Sequence, residues 1–338
     1  SGNNPAVGLT TGNLTSLLAY CMNILMSLMM LSMVFVMVTM SAASAERVTE
    51  VINETADLHD PQDPVMEVAD GSIEFDHVDF SYKKDSKEPV LKDINLSIRA
   101  GETIGIIGGT GSAKSSLVNL ISRLYDVTDG SVLVGGIDVR KYHLESLRNQ
   151  VSVVLQKNVL FSGTILENLR WGDKNATEEE CRRACQLACA DDFIEKMPDK
   201  YNTYIEQGGT NVSGGQKQRL TIARALAGKP EILILDEPTT YLDVSYQVEV
   251  LELVKKLNRE LGITIIMVLH DINLAARYSD VLMAVKGGRL YAAGTPAEIV
   301  NKKYLQEIFE IEASVYTDPV HKCPYFIPLR TTIHEKKA

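Results

Sequence analysis

The sequence lacks both a disulfide framework and an excess of basic charge. Its five cysteines are too sparse for a disulfide-built fold in a chain of 338 residues. Lys and Arg number 34 against 44 Asp and Glu, and a net charge of −10 excludes a chain-wide nucleic-acid-binding surface. A composition of 45% hydrophobic and 23% charged residues excludes disorder. We therefore expect globular protein in a reducing compartment, with no nucleic-acid partner.

Charged side chains are absent from residues 1–45, which sets this region apart from the rest. Residues 14–40 would form a helix about 40 Å long, enough to cross a hydrocarbon core of about 30 Å. A buried soluble helix and a signal peptide are the alternatives, but the apolar stretch is too long for a signal peptide. We predict one transmembrane helix with a cytoplasmic extension over residues 1–60, ending at a proline-broken linker.

A glycine-rich loop follows the apolar strand 103–107 and precedes a helix-like segment. The loop consists of Gly108, Gly109, Thr110, Gly111, Ser112, Ala113, Lys114, Ser115 and Ser116. In this context we expect backbone N–H groups to bind phosphates, Lys114 to add positive charge and Ser115 to be able to ligate Mg²⁺. Ala113 replaces the usual glycine, and its Cβ is expected to crowd or strain the loop without abolishing nucleotide binding.

Two further apolar strands end in polar residues. Residues 232–235 run into Asp236 and Glu237, and residues 263–269 run into His270. Carboxylates at the end of a buried parallel strand suit a magnesium–nucleotide site. We expect Asp236 to hold Mg²⁺ directly or through water, and Glu237 to orient and deprotonate the attacking water. His270 ends a core strand at the edge where open α/β sheets bind ligands.

A fourth motif precedes these strands. It comprises Ser213, Gly214, Gly215 and Gln216, and a helix-like segment follows it. Ser213 is expected to cap this helix, whose N-terminus then attracts an anion.

With these motifs in place, the chain resembles the ATPase of ATP-binding-cassette (ABC) transporters over residues 71 to about 315. The resemblance implies that Tyr82 stacks on adenine, that Gly108 to Ser116 form the Walker A loop and that Gln156 is the Q-loop residue. It also implies that Ser213 to Gln216 form the signature, that Asp236 and Glu237 are the Walker B aspartate and catalytic glutamate, that Asp243 lies in the D-loop and that His270 contacts the γ-phosphate. Glu237, His270 and Gln156 are thus the expected catalytic residues. Ser115, Gln156 and Asp236 are the expected metal ligands.

The resemblance also implies a fold and an assembly. The expected fold is an α/β P-loop NTPase with a RecA-like core, an antiparallel β subdomain and a helical signature subdomain, preceded by one transmembrane helix. ATP and Mg²⁺ would bind between the Walker A loop of one subunit and the signature of a second ABC ATPase subunit. Hydrolysis would move a transmembrane transporter domain in the bacterial cytoplasmic membrane, with the ATPase on the cytoplasmic side.

The two parts of the chain resemble different branches of this family. Residues 1–230 are similar to bacterial multidrug and peptide exporters. Residues 237–338 are similar to importer ATPases of the iron-siderophore and cobalamin type, because the segment 237–243 and the segment 269–278 follow importer patterns. We therefore interpret the chain as a mosaic joined near residues 225–238, with a nucleotide-binding domain at 71–315 and an importer-like tail at 316–338.

The sequence is also compatible with two alternative functions and contains one further cluster of reactive side chains. The chain is alternatively a module that binds ATP and dimerises but hydrolyses poorly, as Ala113 suggests, or a soluble ABC ATPase, which residues 14–40 argue against. Cys181, Cys185 and Cys189 recur on one helical face. We expect packing rather than metal or redox chemistry from them.

Overall fold

The structure is a computed structural model that describes residues 10–83, 86, 88–240 and 242–332. Contacts divide the chain into two compact units, Ser1–Asp57 and Leu58–Ala338. Tyr241, which belongs to the importer-like segment, lies outside the described residues, as do residues 333–338 of the predicted tail.

The described residues form eleven α-helices and fourteen β-strands. The helices are α1 (Thr11–Asn53), α2 (Lys114–Ile121), α3 (Leu144–Gln150), α4 (Ile165–Arg170), α5 (Glu178–Leu187), α6 (Asp191–Ile194), α7 (Gly214–Ala227), α8 (Val244–Leu261), α9 (Ile272–Tyr278), α10 (Pro296–Ile299) and α11 (Lys302–Phe309). The strands are β1 (Ile73–Phe80), β2 (Leu91–Ile98), β3 (Thr103–Gly108), β4 (Asp129–Val134), β5 (Ile137–Asp138), β6 (Val151–Val154), β7 (Gly163–Thr164), β8 (Tyr204–Ile205), β9 (Ile232–Asp236), β10 (Thr264–Val268), β11 (Val281–Lys286), β12 (Arg289–Gly294), β13 (Ile311–Thr317) and β14 (Pro324–Thr331). Short 3₁₀ turns cover Val139–Lys141, Lys200–Asn202 and Gln207–Gly209.

Among its described residues, the first unit contains one long helix, α1. An 18-residue window of it has a mean hydropathy of 2.2, and none of its residues is buried. Its hydroxyl groups bond within the helix, as where Ser27 donates to the Asn23 carbonyl at 2.8 Å and Ser32 to the Leu28 carbonyl at 2.9 Å. By length and composition α1 is long and apolar enough to cross a membrane, in agreement with the helix predicted from the sequence.

A six-stranded sheet organises the second unit. Its strand order is β12-β11-β3-β10-β9-β6, with parallel pairing throughout except at the antiparallel edge strand β12. Along β9, Leu233 and Leu235 pack into one core cluster and Ile232 and Ile234 into the other. Both faces of the sheet are therefore covered, which explains why its central strands are continuously apolar.

Different layers cover the two faces. The four-stranded antiparallel sheet β2-β1-β4-β5 and the helix α2 share one core with the central sheet. The helices α4, α5, α7, α8 and α9 supply the other core. Cys181 and Cys185 are fully buried there, which confirms their predicted packing role, while Cys189 is half-buried. Burial raises the pKa of the Cys185 thiol to about 12.

The parallel strands end at one edge of the central sheet. In register, Val268 of β10 lies between Ile106 of β3 and Asp236 of β9. The loops that follow these three strands therefore emerge side by side. At the other end of the chain, β13 and β14 form an antiparallel hairpin, and β13 crosses the predicted domain boundary at residues 315–316.

Candidate nucleotide-binding site

The loop between β3 and α2 has a backbone that restricts side chains at several positions. A Cβ on Gly108 would lie 2.3 Å from the Val285 carbonyl oxygen, so only glycine fits there. Gly111 has φ +74°, a conformation that glycine adopts without strain. Ala113 has φ 72° and ψ 25°, so an alanine occupies the left-handed region immediately before α2. This conformation costs a residue with a Cβ about 1–2 kcal/mol.

Lys114 begins α2 and turns back over the loop. Its Nζ donates to the carbonyl oxygens of Gly108 and Gly109, both at 3.0 Å, and lies 3.4 Å from Ser112 Oγ. Burial lowers the pKa of Lys114, while Glu237 counteracts that shift. No side chain caps the N-terminus of α2, so the first N–H groups of this helix keep their capacity to bind an anion.

Glu237 contacts both of the other residues that we predicted to be catalytic, Gln156 and His270. Its Oε2 accepts a hydrogen bond from Gln156 Nε2 at 2.5 Å, and its Oε1 lies 2.6 Å from His270 Nε2. Glu237 itself has φ 52°, which is a strained conformation for this residue. The structure therefore holds one carboxylate between an amide and an imidazole, at the end of β9.

Thr240 is a partner of Glu237 that the sequence reasoning missed. Its Oγ1 donates to Glu237 Oε2 at 3.1 Å. The Thr240 N–H also bonds to the Glu237 carbonyl at 3.2 Å, so a turn brings the Thr240 hydroxyl back to the carboxylate. The sequence feature that indicates this contact is the position of a threonine three residues after Glu237.

Asp236 and Ser115 form a pair of oxygen donors beside this cluster. Ser115 Oγ lies 3.5 Å from Asp236 Oδ1. Burial raises the pKa of Asp236, and the Ser115 hydroxyl and the charge of Lys114 act in the opposite direction. A hydroxyl and a carboxylate next to a phosphate loop are the kind of ligands that Mg²⁺ takes, so these residues fit that ion.

The phosphate loop lines an open cleft of about 400 Å³ together with Gln156, Glu237 and His270. Its lining consists of Thr110, Gly111, Ser112, Ala113, Lys114, Ser115, Ser116, Gln156, Glu237 and His270. Segments that are far apart in the sequence therefore meet at the carboxyl edge of the sheet.

Other predicted site residues lie outside the lining of this cleft. Ser213 caps α7, and its Oγ accepts from the Gln216 N–H at 3.3 Å while the Gln216 Oε1 accepts from the Ser213 N–H at 2.9 Å. Gly214 is exposed, and Gly215 is buried against the Tyr246 ring. Asp243 caps α8 by accepting from the Tyr246 N–H at 3.2 Å.

Tyr82 lies at the side of the phosphate loop. Its hydroxyl is 2.8 Å from Ser116 Oγ, and its ring packs edge-on against Tyr125 with centroids 5.1 Å apart. About half of the Tyr82 surface remains exposed (53%), so the ring has room for a further stacking partner.

A parallel sheet, a glycine-rich loop with a buried lysine, and carboxylates on the neighbouring strand together define a P-loop nucleotide site. Residues 91–240 match the family model described as ABC transporter. Residues 91–240 therefore match an ABC transporter ATP-binding domain, in agreement with the resemblance and the fold class expected from the motifs.

Similar proteins match a longer part of the chain. The chain is 41% identical over 238 residues to a Staphylococcus aureus protein named for multidrug export as an ATP-binding/permease protein, covering 70% of this chain and 40% of that protein. It is 40% identical over 289 residues to an ABC transporter ATP-binding protein of Mycobacterium bovis, covering 84% and 49%. The solved structure of a bacterial Atm1-family ABC exporter with ATP bound matches with a TM-score of 0.69 and 31% identity, covering 86% of this chain and 50% of that one. The chain thus spans half or less of each of these relatives.

Proposed function

We propose that the chain is the ATP-binding and ATP-hydrolysing subunit of an ABC exporter. The observation that carries this proposal is the Glu237 carboxylate, which is held by Gln156, His270 and Thr240 in the cleft that also contains Lys114. Export is favoured over import because the relatives include a protein named for multidrug export and an Atm1-family exporter. The importer-like character of residues 237–338 stays a prediction.

The residues of the cleft suit phosphoryl transfer to water. Lys114 and the uncapped N-terminus of α2 would bind the phosphates of ATP, with Lys114 exchanging loop carbonyl partners for phosphate oxygens. Glu237 would accept a proton from the water that attacks the γ-phosphorus, and ADP would leave as the bond to the γ-phosphate breaks. Gln156 and His270 would hold the Glu237 carboxylate toward that water. Catalysis is then mainly positioning and charge stabilisation.

Ser115 and Asp236 are the residues that we propose to hold Mg²⁺. Bound there, the ion would neutralise negative charge on the triphosphate. Gln156 is also an expected ligand, and its Nε2 already donates to Glu237, which leaves its Oε1 for that role.

A second ATPase subunit would complete the site. Ser213 and Gly214 of the signature are exposed, and none of the residues Ser213 to Gln216 lines the cleft, so a head-to-tail partner would be needed to bring a signature to this ATP. We further propose that α1 spans the bacterial cytoplasmic membrane as part of a transmembrane transporter domain, with the ATPase on the cytoplasmic side. The domain division 1–60, 71–315 and 316–338 belongs to this proposal.

The test is the ATPase rate of the detergent-purified chain, with wild type beside Glu237→Gln and a control, Glu74→Gln. Glu74 is an exposed residue of β1, so its substitution removes the same charge outside the cleft. We expect Glu237→Gln to lower the rate by about 100-fold or more while ATP still binds, because a general base contributes roughly that factor. The wild-type rate should also rise more steeply than linearly with protein concentration. Equal rates for wild type and Glu237→Gln would refute the assignment.

Ala113 favours one second candidate. Its left-handed backbone conformation strains the phosphate loop, which is consistent with a module that binds ATP and dimerises but hydrolyses it slowly. ATP-dependent dimerisation without phosphate release would favour this alternative over the ATPase.

A further inference from the structure

The segment 155–159 brings Gln156 into the cleft, yet most of it faces solvent. Leu155, Gln156, Lys157 and Val159 are exposed, whereas Asn158 is half-buried. The segment starts after β6 and ends before the buried Leu160. An exposed segment of this length needs an anchor if the Gln156 amide is to stay on the Glu237 carboxylate.

Asn158 provides such an anchor on α7. Its Nδ2 donates to Gln218 Oε1, and its Oδ1 accepts from Thr221 Oγ1 at 3.0 Å. Gln218 and Thr221 are each only 2% exposed. We refer to Asn158, Gln218 and Thr221 as the polar clasp. A backbone contact adds to it, because Arg224 Nη1 donates to the Val159 carbonyl at 3.1 Å.

The Gln218 side chain is not explained by packing alone. Among the described residues its buried Nε2 has no hydrogen-bond partner, so the fold carries the cost of an unsatisfied amide group. An apolar side chain of similar size would avoid this cost. The amide is nevertheless present, and its bond to Asn158 ties the segment to α7.

We propose that Asn158, acting through the polar clasp, is a positioning residue for ATP hydrolysis. It fixes the segment 155–159 on α7, so that Gln156 stays bonded to Glu237. The helix α7 also begins at the signature, so the clasp links the catalytic carboxylate to the surface that a second subunit would contact. This inference rests on the proposed function. Asn158 does not line the cleft, so its loss should alter turnover more than ATP binding.

The first test compares steady-state ATP hydrolysis by the full-length wild type, Asn158→Ala and Asn175→Ala. Asn175 is exposed, and its substitution is the matched control for deleting an asparagine side chain. We expect kcat of Asn158→Ala to fall about tenfold, with KM for ATP within about twofold, because misplacing a catalytic group slows the chemical step. Asn175→Ala should retain both constants.

Two further variants at position 158 separate positioning from packing. Asn158→Asp keeps the acceptor for Thr221, and the unpartnered Gln218 Nε2 can turn to donate to the new carboxylate. We therefore expect its kcat to be within about threefold of wild type. Asn158→Leu has a similar volume but no hydrogen bonds, so it should behave like Asn158→Ala. The reverse order, with Leu active and Asp impaired, would show a packing role and overturn the proposal.

The outcomes distinguish the clasp from the proposed function. A wild-type rate that does not depend on Glu237 refutes the proposed function itself. A rate that depends on Glu237 but is unchanged in Asn158→Ala refutes the clasp alone.

If Asn158→Ala does not fold, Thr221→Val provides the same test, because valine has the same shape and lacks only the hydroxyl. That hydroxyl bonds to Asn158 and also lies 3.0 and 2.9 Å from the Lys217 and Gln218 carbonyls of α7. A kcat lowered about threefold at unchanged KM supports the clasp, since one of its two bonds remains. An unchanged kcat overturns it.

Discussion

The loop before α2 and the loop before α7 are both glycine-containing turns into a helix, yet only one of them is left open for an anion. Ala113 precedes α2 without any side-chain cap. Ser213 precedes α7 and forms a reciprocal capping box with Gln216. A helix N-terminus whose N–H groups are already bonded has less capacity for a phosphate. Of these two turns, the one before α2 therefore keeps more backbone N–H groups available for a phosphate.

The turns before α2 and α7 also differ in their charged side chains. At α2 the buried Lys114 lies over the loop, and its Nζ bonds to two loop carbonyls. At α7, by contrast, Ser213 and Gly214 face solvent. We infer that the first turn carries most of the ATP affinity of one chain, and that the second contributes once a partner is present. Three substitutions test this comparison.

The largest effect is expected from Lys114→Met, which removes the cation from the first turn. We expect ATP affinity to fall up to about 100-fold, since a hydrogen bond to a charged group contributes about 1.5–3 kcal/mol. Hydrolysis should reach background, because Lys114 also stabilises charge that develops in the transition state. Titration with a fluorescent ATP analogue measures the change. Lys256→Met on the exposed face of α8 is the control and should bind ATP like wild type. Retained affinity in Lys114→Met would place the nucleotide elsewhere.

A smaller effect is expected from Ser213→Ala, which removes the cap of the second turn. The Gln216 N–H loses its side-chain acceptor, and loss of such a cap lowers the free energy of unfolding by about 1 kcal/mol. Denaturant titration followed by circular dichroism measures this change, with Ser213→Thr as the control that keeps a capping hydroxyl. ATP affinity of the single chain should not change. A Ser213→Ala variant that binds ATP as weakly as Lys114→Met would contradict the assignment of affinity to the first turn.

The sequence alone predicted the central strands and both turns, because each rests on a local pattern. The apolar run before Asp236 is continuous since both sheet faces are covered, and Ser213 with Gln216 is a capping box that can be recognised from spacing. Local patterns do not predict contacts between segments that are distant in the sequence. Thr240 on Glu237 and Asn158 on Gln218 depend on how loops meet after the sheet has formed, and the bond from Asn158 crosses 60 positions of sequence.

The smallest effect concerns Ala113, the one residue that departs from the expected loop pattern. At φ 72° glycine would remove about 1–2 kcal/mol of strain, but it would also add flexibility to the unfolded chain that costs about 0.4–1 kcal/mol. We therefore expect Ala113→Gly to raise the free energy of unfolding by about 0.5–1 kcal/mol, as the difference of these two terms. Denaturant titration with and without ATP measures it.

The control for this substitution is Ala297→Gly, at an exposed position of α10. There the same change removes helix propensity without relieving strain, so stability should fall by about 0.5–1 kcal/mol. The two alanines should thus respond with opposite signs. If both variants were destabilised equally, the loop would carry no strain at Ala113, and the argument for slow hydrolysis from that residue would fail. If Ala113→Gly were stabilised and also hydrolysed ATP several-fold faster, the strained alanine would be what limits turnover in this chain.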